Sequence, residues 1–177
     1  MINTELSKIK EIHSLQQDFF ATRATYDIKF RKAMLKKLYS AIIKWEKPLS
    51  EALYKDLHKS YEEAYLTEIS IVLGEIKNHL KDVKSWSKKR YIKTPLKLFP
   101  SRTYLVQEPL GNSLIIAPWN YPVQLLLNPL VGAISAGCTA ILKPSPYVEN
   151  VSTVLEKMIK ETFDESYIAI VQGNRDV

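Results

Sequence analysis

The 177-residue chain carries one cysteine, three histidines, five glycines and no apolar run near the length of a bilayer span. A single thiol excludes an internal disulfide framework and fits a reducing compartment, so the expected location is the cytoplasm. A helix needs about 20 consecutive apolar residues to cross a membrane, and the N-terminus, Met1 to Lys8, lacks the apolar core of a secretory signal. His13, His58 and His79 stand far apart, without partners at metal-ligand spacing, and read as surface residues of helices. With so few glycines, the phosphate loops are missing too. There is no G-x-G-x-x-G, no Walker loop and no G-x-S-x-G elbow.

The charge is uneven. Through Pro100 there are 20 Lys and Arg against 12 Asp and Glu; from Ser101 onward there are 5 against 7. The basic excess is spread at helical spacing and mixed with acids, as on solvated helix faces. A nucleic-acid footprint would be clustered and interleaved with exposed aromatics, so no nucleic-acid partner is expected.

The first hundred residues read as helices. Leu6, Ile9, Ile12 and Leu15 mark one stripe; Asp27 is placed to cap a second helix through Phe30, Met34, Leu38, Ile42 and Trp45, with a restart expected at Pro48. Leu66, Ile69, Leu73, Ile76, Leu80 and Val83 form a narrow seam on a third helix, from about Glu62 to Trp86. Lys88 to Pro100 reads as a basic, proline-broken connector, and Arg102 to Glu108 as a strand.

After it the pattern changes to strand, helix, strand, helix, strand, which predicts a parallel sheet. Leu114-Ile115-Ile116 reads as a strand covered on both faces, ended by Pro118. Pro122 suits the first turn of an apolar helix closed by Gly137. Thr139 to Leu142 and Tyr167 to Val171 supply two more strands, with a helix between them that Ser145 could cap. The predicted fold is α/β: a helical region over 1–100 packed on the first part of a doubly wound, Rossmann-like domain over 101–177.

Two turns follow strands and so face the carboxyl edge, where such sheets bind ligands. Asn120 is either a helix N-cap or an amide donor to an oxyanion. Lys143 is either a charge snorkelling from a strand end or a donor to a nucleotide. Cys138, beside the Gly137 cap, reads as a small buried hydrophobe.

Pro118-Trp119-Asn120-Tyr121-Pro122, Pro129 through Cys138 and Leu142-Lys143-Pro144-Ser145, in this order and spacing, closely resemble the aldehyde dehydrogenase superfamily. Glu108-Pro109-Leu110-Gly111, Asp56-Leu57-His58-Lys59 and Lys93-Thr94-Pro95 extend the likeness toward the class 3 branch, which oxidises fatty and aromatic aldehydes. The resemblance implies that Asn120 binds the oxyanion of a thiohemiacetal and that Lys143 binds the cofactor's adenosine ribose. It also implies that Ile116, Ala117, Pro118 and Trp119 line the cofactor cleft, with Ser145 and Pro146 at its adenosine end. NAD or NADP is the implied cofactor, a small-molecule aldehyde the substrate, and a homodimer the assembly of the full-length enzyme.

The family motif continues K-P-S-E, whereas Pro146 stands in the place of the acid. Loss of that carboxylate removes a ribose-hydroxyl acceptor and a repulsion against a 2′-phosphate, so tolerance of NADP is expected. The family's nucleophilic cysteine, general-base glutamate and phosphate-contacting glycine turn have no counterpart in the 177 residues. The chain alone is therefore expected to be inactive, as a truncated enzyme or as a non-catalytic assembly module using the Leu66 to Val83 seam.

Overall fold

A computed structural model describes residues 3–174. Helix α1 (Leu6–Ala21) precedes the long α2 (Ile28–Leu57), whose first turn is capped by Asp27 Oδ1 accepting the Lys29 N–H at 2.9 Å. The expected restart at Pro48 does not occur: α2 runs through it. One missing backbone donor is outweighed by Leu49, Ala52 and Leu53, all buried on the next turn.

His58, in the left-handed region at φ 54°, ends α2 and reverses the chain. Ser60 then starts a new helix, its Oγ accepting the Glu63 N–H at 3.2 Å. This run has three parts: α3 (Tyr61–Ala64), a π turn (Tyr65–Ile69) and α4 (Ser70–Trp86). The residue inserted by the π turn shifts the apolar stripe. Leu66 faces solvent at 65% exposure, while Glu68, between two stripe positions, is fully buried. Ile69, Leu73, Ile76 and Val83 are buried, with α4 packed on α2 and α5. Most of that seam, Leu66 excepted, is thus consumed inside the chain.

The connector holds a strand that its prolines concealed. β1 (Arg90–Ile92) pairs antiparallel with β2 (Thr103–Leu105), Tyr91 opposite Tyr104, and the pair stands largely exposed. β2 is shorter than the predicted strand because neither face of it meets a core.

β3 (Asn112–Ile116), β4 (Thr139–Lys143) and β5 (Ile168–Ile170) form a parallel sheet in that order, joined by α5 (Pro122–Ala136) and α6 (Glu149–Thr162). This is the predicted α/β architecture with its N-terminal helices. Ile115, Leu142 and Ile170 point into a core shared with α2, α4, α5 and α6. On the opposite face Ile141, Ala169 and Val171 pack against Ile12 and Ile9 of α1. α1 meets β3 near its start, where Asn112 Nδ2 donates to Gln16 Oε1, and leaves Leu114 and Ile116 63% and 64% exposed. The expectation that β3 is covered on both faces is corrected: it is an edge strand buried on one side, whereas β4 and β5 are buried along their whole length. Among the described residues, no helix is long and apolar enough to cross a membrane.

Candidate active site at the carboxyl edge of the sheet

Past β3, the Ala117 N–H still donates to the Lys143 carbonyl at 3.1 Å, and Pro118 then ends the ladder. Trp119, Asn120 and Tyr121 form the exposed turn before Pro122 opens α5. Helix α5 begins with orphan N–H groups that some acceptor must satisfy. Asn120 does not supply it: the N-cap residue is Tyr121, and no side chain within the turn caps the helix. The acceptor arrives from the π turn. Glu68 Oε2 takes the Val123 N–H at 2.8 Å and the Gln124 N–H at 3.3 Å.

The other carboxylate oxygen, Glu68 Oε1, accepts from Lys59 Nζ at 2.6 Å. The same ammonium donates to the Asn120 carbonyl at 3.1 Å and lies 4.0 Å from the centre of the Tyr121 ring. Lys59 is 8% exposed and Glu68 fully buried. Sequence reasoning missed both residues. Lys59 lay inside the Asp56 to Lys59 motif without a role, and helical periodicity gave no sign that Glu68 turns inward.

One strand away, Lys143 closes β4 opposite Ile116 in register. Its ammonium is buried and donates to the Gly173 carbonyl at 2.9 Å, the one bond it makes among the described residues, which leaves two of its three N–H donors. Ser145 is buried in the following turn, where its Oγ accepts the Tyr147 N–H at 3.3 Å and its carbonyl accepts from Ser152 Oγ at 2.9 Å. Ser145 does not cap α6, contrary to expectation. The helix starts later, at Glu149, and its N-terminus is met by Asp56 of α2. Pro146 is half-buried at the same edge. Ile116, Pro118, Trp119 and Asn120 are exposed and Ala117 is buried, so an open apolar wall adjoins the Lys143 ammonium.

His79 and Cys138 lie away from this edge, near the C-terminal end of α5. His79 is half-buried rather than on the surface: Nδ1 meets Ser135 Oγ at 2.6 Å, Nε2 meets Glu75 Oε1 at 3.0 Å, and Trp86 packs edge-on against the ring. Cys138 is buried and free, as the small hydrophobe expected there. Among the described residues, no group of three or more His, Cys, Asp or Glu side chains is placed to hold a metal ion.

Residues 5–177 match the model of the aldehyde dehydrogenase family. The chain belongs to that family. It is 52% identical over 155 residues to the 4,4'-diaponeurosporen-aldehyde dehydrogenase of Staphylococcus aureus, covering 88% of this chain and 34% of that protein. It is 39% identical to the mouse aldehyde dehydrogenase family 3 member B2, covering 92% and 34%. A substrate-bound structure of the Staphylococcus aureus AldH superposes with a TM-score of 0.92 at 49% identity, over 95% of this chain and 37% of that one. A Methanocaldococcus jannaschii glyceraldehyde-3-phosphate dehydrogenase complexed with NADP shares the fold at 20% identity, with a TM-score of 0.81 over 100% of this chain and 39% of that one. The chain spans about a third of the length of the curated relatives it matches.

Proposed function

We propose that this chain provides the oxyanion-binding amide and the adenosine-side cofactor contacts of an NAD(P)-dependent aldehyde dehydrogenase. The observation that carries the proposal is the division of labour at the start of α5. Glu68 caps the helix, and Asn120 is exposed at the ligand edge with no hydrogen bond to its side-chain amide among the described residues. An asparagine relieved of capping can aim its N–H₂ at charge developing on an aldehyde oxygen. Such a donor is worth roughly 10²–10³ in rate.

The residues at the edge fit the cofactor. Lys143 holds its ammonium at a strand end with two donors left for ribose hydroxyls, and exposed Ile116, Pro118 and Trp119 offer apolar area to a heterocycle. Ser145 acts by fixing the turn beneath that site through its bonds to Tyr147 and Ser152. Pro146 leaves no carboxylate to repel a 2′-phosphate, so both NAD and NADP are accepted. When bound, NAD(P) supplies the hydride acceptor. The proposed reaction also needs a cysteine thiolate to form the thiohemiacetal and a glutamate-activated water to release the acid. The 177 residues alone are inactive. The name of the Staphylococcus aureus relative and the likeness to family 3 members support an apolar aldehyde as substrate.

The test joins this chain to the remaining two thirds of the Staphylococcus aureus relative. The fusion should form NAD(P)H from an aldehyde, and Asn120→Ala should lower kcat by about 10²–10³ with little change in KM. An unchanged kcat would overturn the role of Asn120. Selectivity for NAD above about 100-fold would overturn the reading of Pro146.

A further inference from the structure

We propose that Lys59 and Glu68 are positioning residues for Asn120: one buried ion pair fixes the turn that carries the amide and caps the helix that follows it. The catalytic consequence rests on the reading of Asn120 as an oxyanion donor; the positioning itself rests on the bonds the pair makes.

Burying a carboxylate and an ammonium is expensive, and a well-packed apolar pair of similar size is often as stable or more so. Stability is therefore a weak reason for Lys59 and Glu68 to occupy the interior. Their partners give a better one. Glu68 Oε1 holds Lys59, and Oε2 holds the first free N–H groups of α5, so the carboxylate ties the helix start to the ammonium. Lys59 Nζ passes that restraint to the Asn120 carbonyl and packs on the Tyr121 ring. Asn120 is thus held through its backbone from one side while its side chain stays unengaged. A donor that must meet a developing charge within a fraction of an ångström needs such support.

The departure from α-helical geometry at Tyr65–Ile69 also finds a use. A continuous α-helix with the apolar stripe of this sequence would keep Leu66 inward, and the π turn instead buries Glu68. Single π turns inside helices recur at functional sites. The reversal at His58 does the same for Lys59, since a left-handed residue at the end of α2 turns the next side chain back into the core. Two local departures from regular helix converge on one ion pair, and the pair on one loop residue.

Nuclear magnetic resonance on the 177-residue chain tests this without any catalytic assay. In Lys59→Met, the Trp119 to Tyr121 amide signals and the Asn120 side-chain signals should shift and broaden. In Glu68→Gln, the Val123 and Gln124 amides should exchange with solvent tenfold faster or more. Lys59→Arg, which keeps the charge, should restore most of the Asn120 signals. The double variant Lys59→Met with Glu68→Gln separates positioning from stability: it removes the uncompensated buried charge, so its urea midpoint should recover while the Asn120 signals stay displaced. If Lys59→Met does not fold, the double variant gives the same spectral comparison. Wild-type signals for Asn120 in either variant, or their recovery together with stability in the double variant, would overturn the proposal. A failure of Asn120→Ala to lower kcat in the fusion enzyme leaves these spectra untouched, so the two failures can be told apart.

Discussion

Asp56 Oδ2 accepts the backbone N–H of Val151 at 2.8 Å, and Asp56 Oδ1 accepts from the Asn150 side chain at 2.6 Å. A half-buried carboxylate near the end of α2 thus caps α6 from 95 positions away in the chain. The residue at the N-cap position, Val148, has no side-chain oxygen to offer. Asp56→Ala should therefore cost about 1–2 kcal/mol, the range for losing a helix cap. Asp56→Asn retains an acceptor and should cost less than half as much. Urea unfolding at neutral pH measures both, and equal losses for the two variants would mean that charge matters more than capping.

Gly137 closes α5 at φ 85°, and a Cβ built there would lie 2.7 Å from the Arg31 guanidinium. That guanidinium cannot easily withdraw. Nε donates to the Thr25 carbonyl at 2.7 Å and Nη1 to the Ser135 carbonyl at 3.1 Å, where it also faces the negative end of the helix. Gly137→Ala should lose about 1–2 kcal/mol from the left-handed backbone alone, with the clash added. Shortening Arg31 to alanine relieves the clash, so the double variant should be less destabilised than the two single losses together predict. Strict additivity in thermal unfolding would show that the two groups do not press on one another.

The sheet, the caps at Asp27 and Gly137 and the proline start of α5 were legible because each depends on residues close in sequence. The α6 face obeys the same local rule: Val151, Leu155, Met158 and Thr162 recur at helical spacing and are all buried. What escaped was set from a distance. Ser145 is a good local cap, yet Asp56 does the capping, and Asn120 is a good local cap, yet Glu68 takes the α5 N–H groups. Periodicity cannot announce a π turn, and it offers no reason for Glu68, between two stripe positions, to turn inward. Asn120 and Lys143 could be singled out because they follow strand ends; the Lys59 and Glu68 pair behind one of them could not.

The one-sided burial of β3 separates neighbouring residues in this chain. Ile115 is 8% exposed and belongs to the main core, whereas Leu114 is 63% exposed on the face that α1 leaves open. Ile115→Ala should cost about 2–4 kcal/mol through lost burial and a cavity. Leu114→Ala should stay within about 0.5 kcal/mol, as for surface positions. Denaturant midpoints of the two variants decide it: comparable losses would mean that β3 is covered on both sides.

Tyr167 sits among Phe19, Phe30 and Phe163, with ring centroids 5.1 to 6.1 Å away, and its hydroxyl is buried without a hydrogen-bond partner among the described residues. Burial raises its pKa above the ordinary value near 10, against a smaller opposing pull from Arg31. At pH 7 the orphan hydroxyl only costs desolvation, so Tyr167→Phe should leave stability unchanged or raise it by up to about 1 kcal/mol. The alkaline limb is more discriminating. Above about pH 10 the unfolded chain ionises this phenol and the folded chain does not, so the native state binds more protons and stability falls as pH rises. The wild type should lose up to about 1.4 kcal/mol per pH unit relative to Tyr167→Phe through this group. Lysines and the other tyrosines titrate alike in both proteins and cancel in the difference. Urea titrations at pH 9, 10 and 11 should show a gap between the two proteins that widens as pH rises, with the phenylalanine variant above. Parallel curves would mean that Tyr167 reaches solvent or finds a partner in the folded chain.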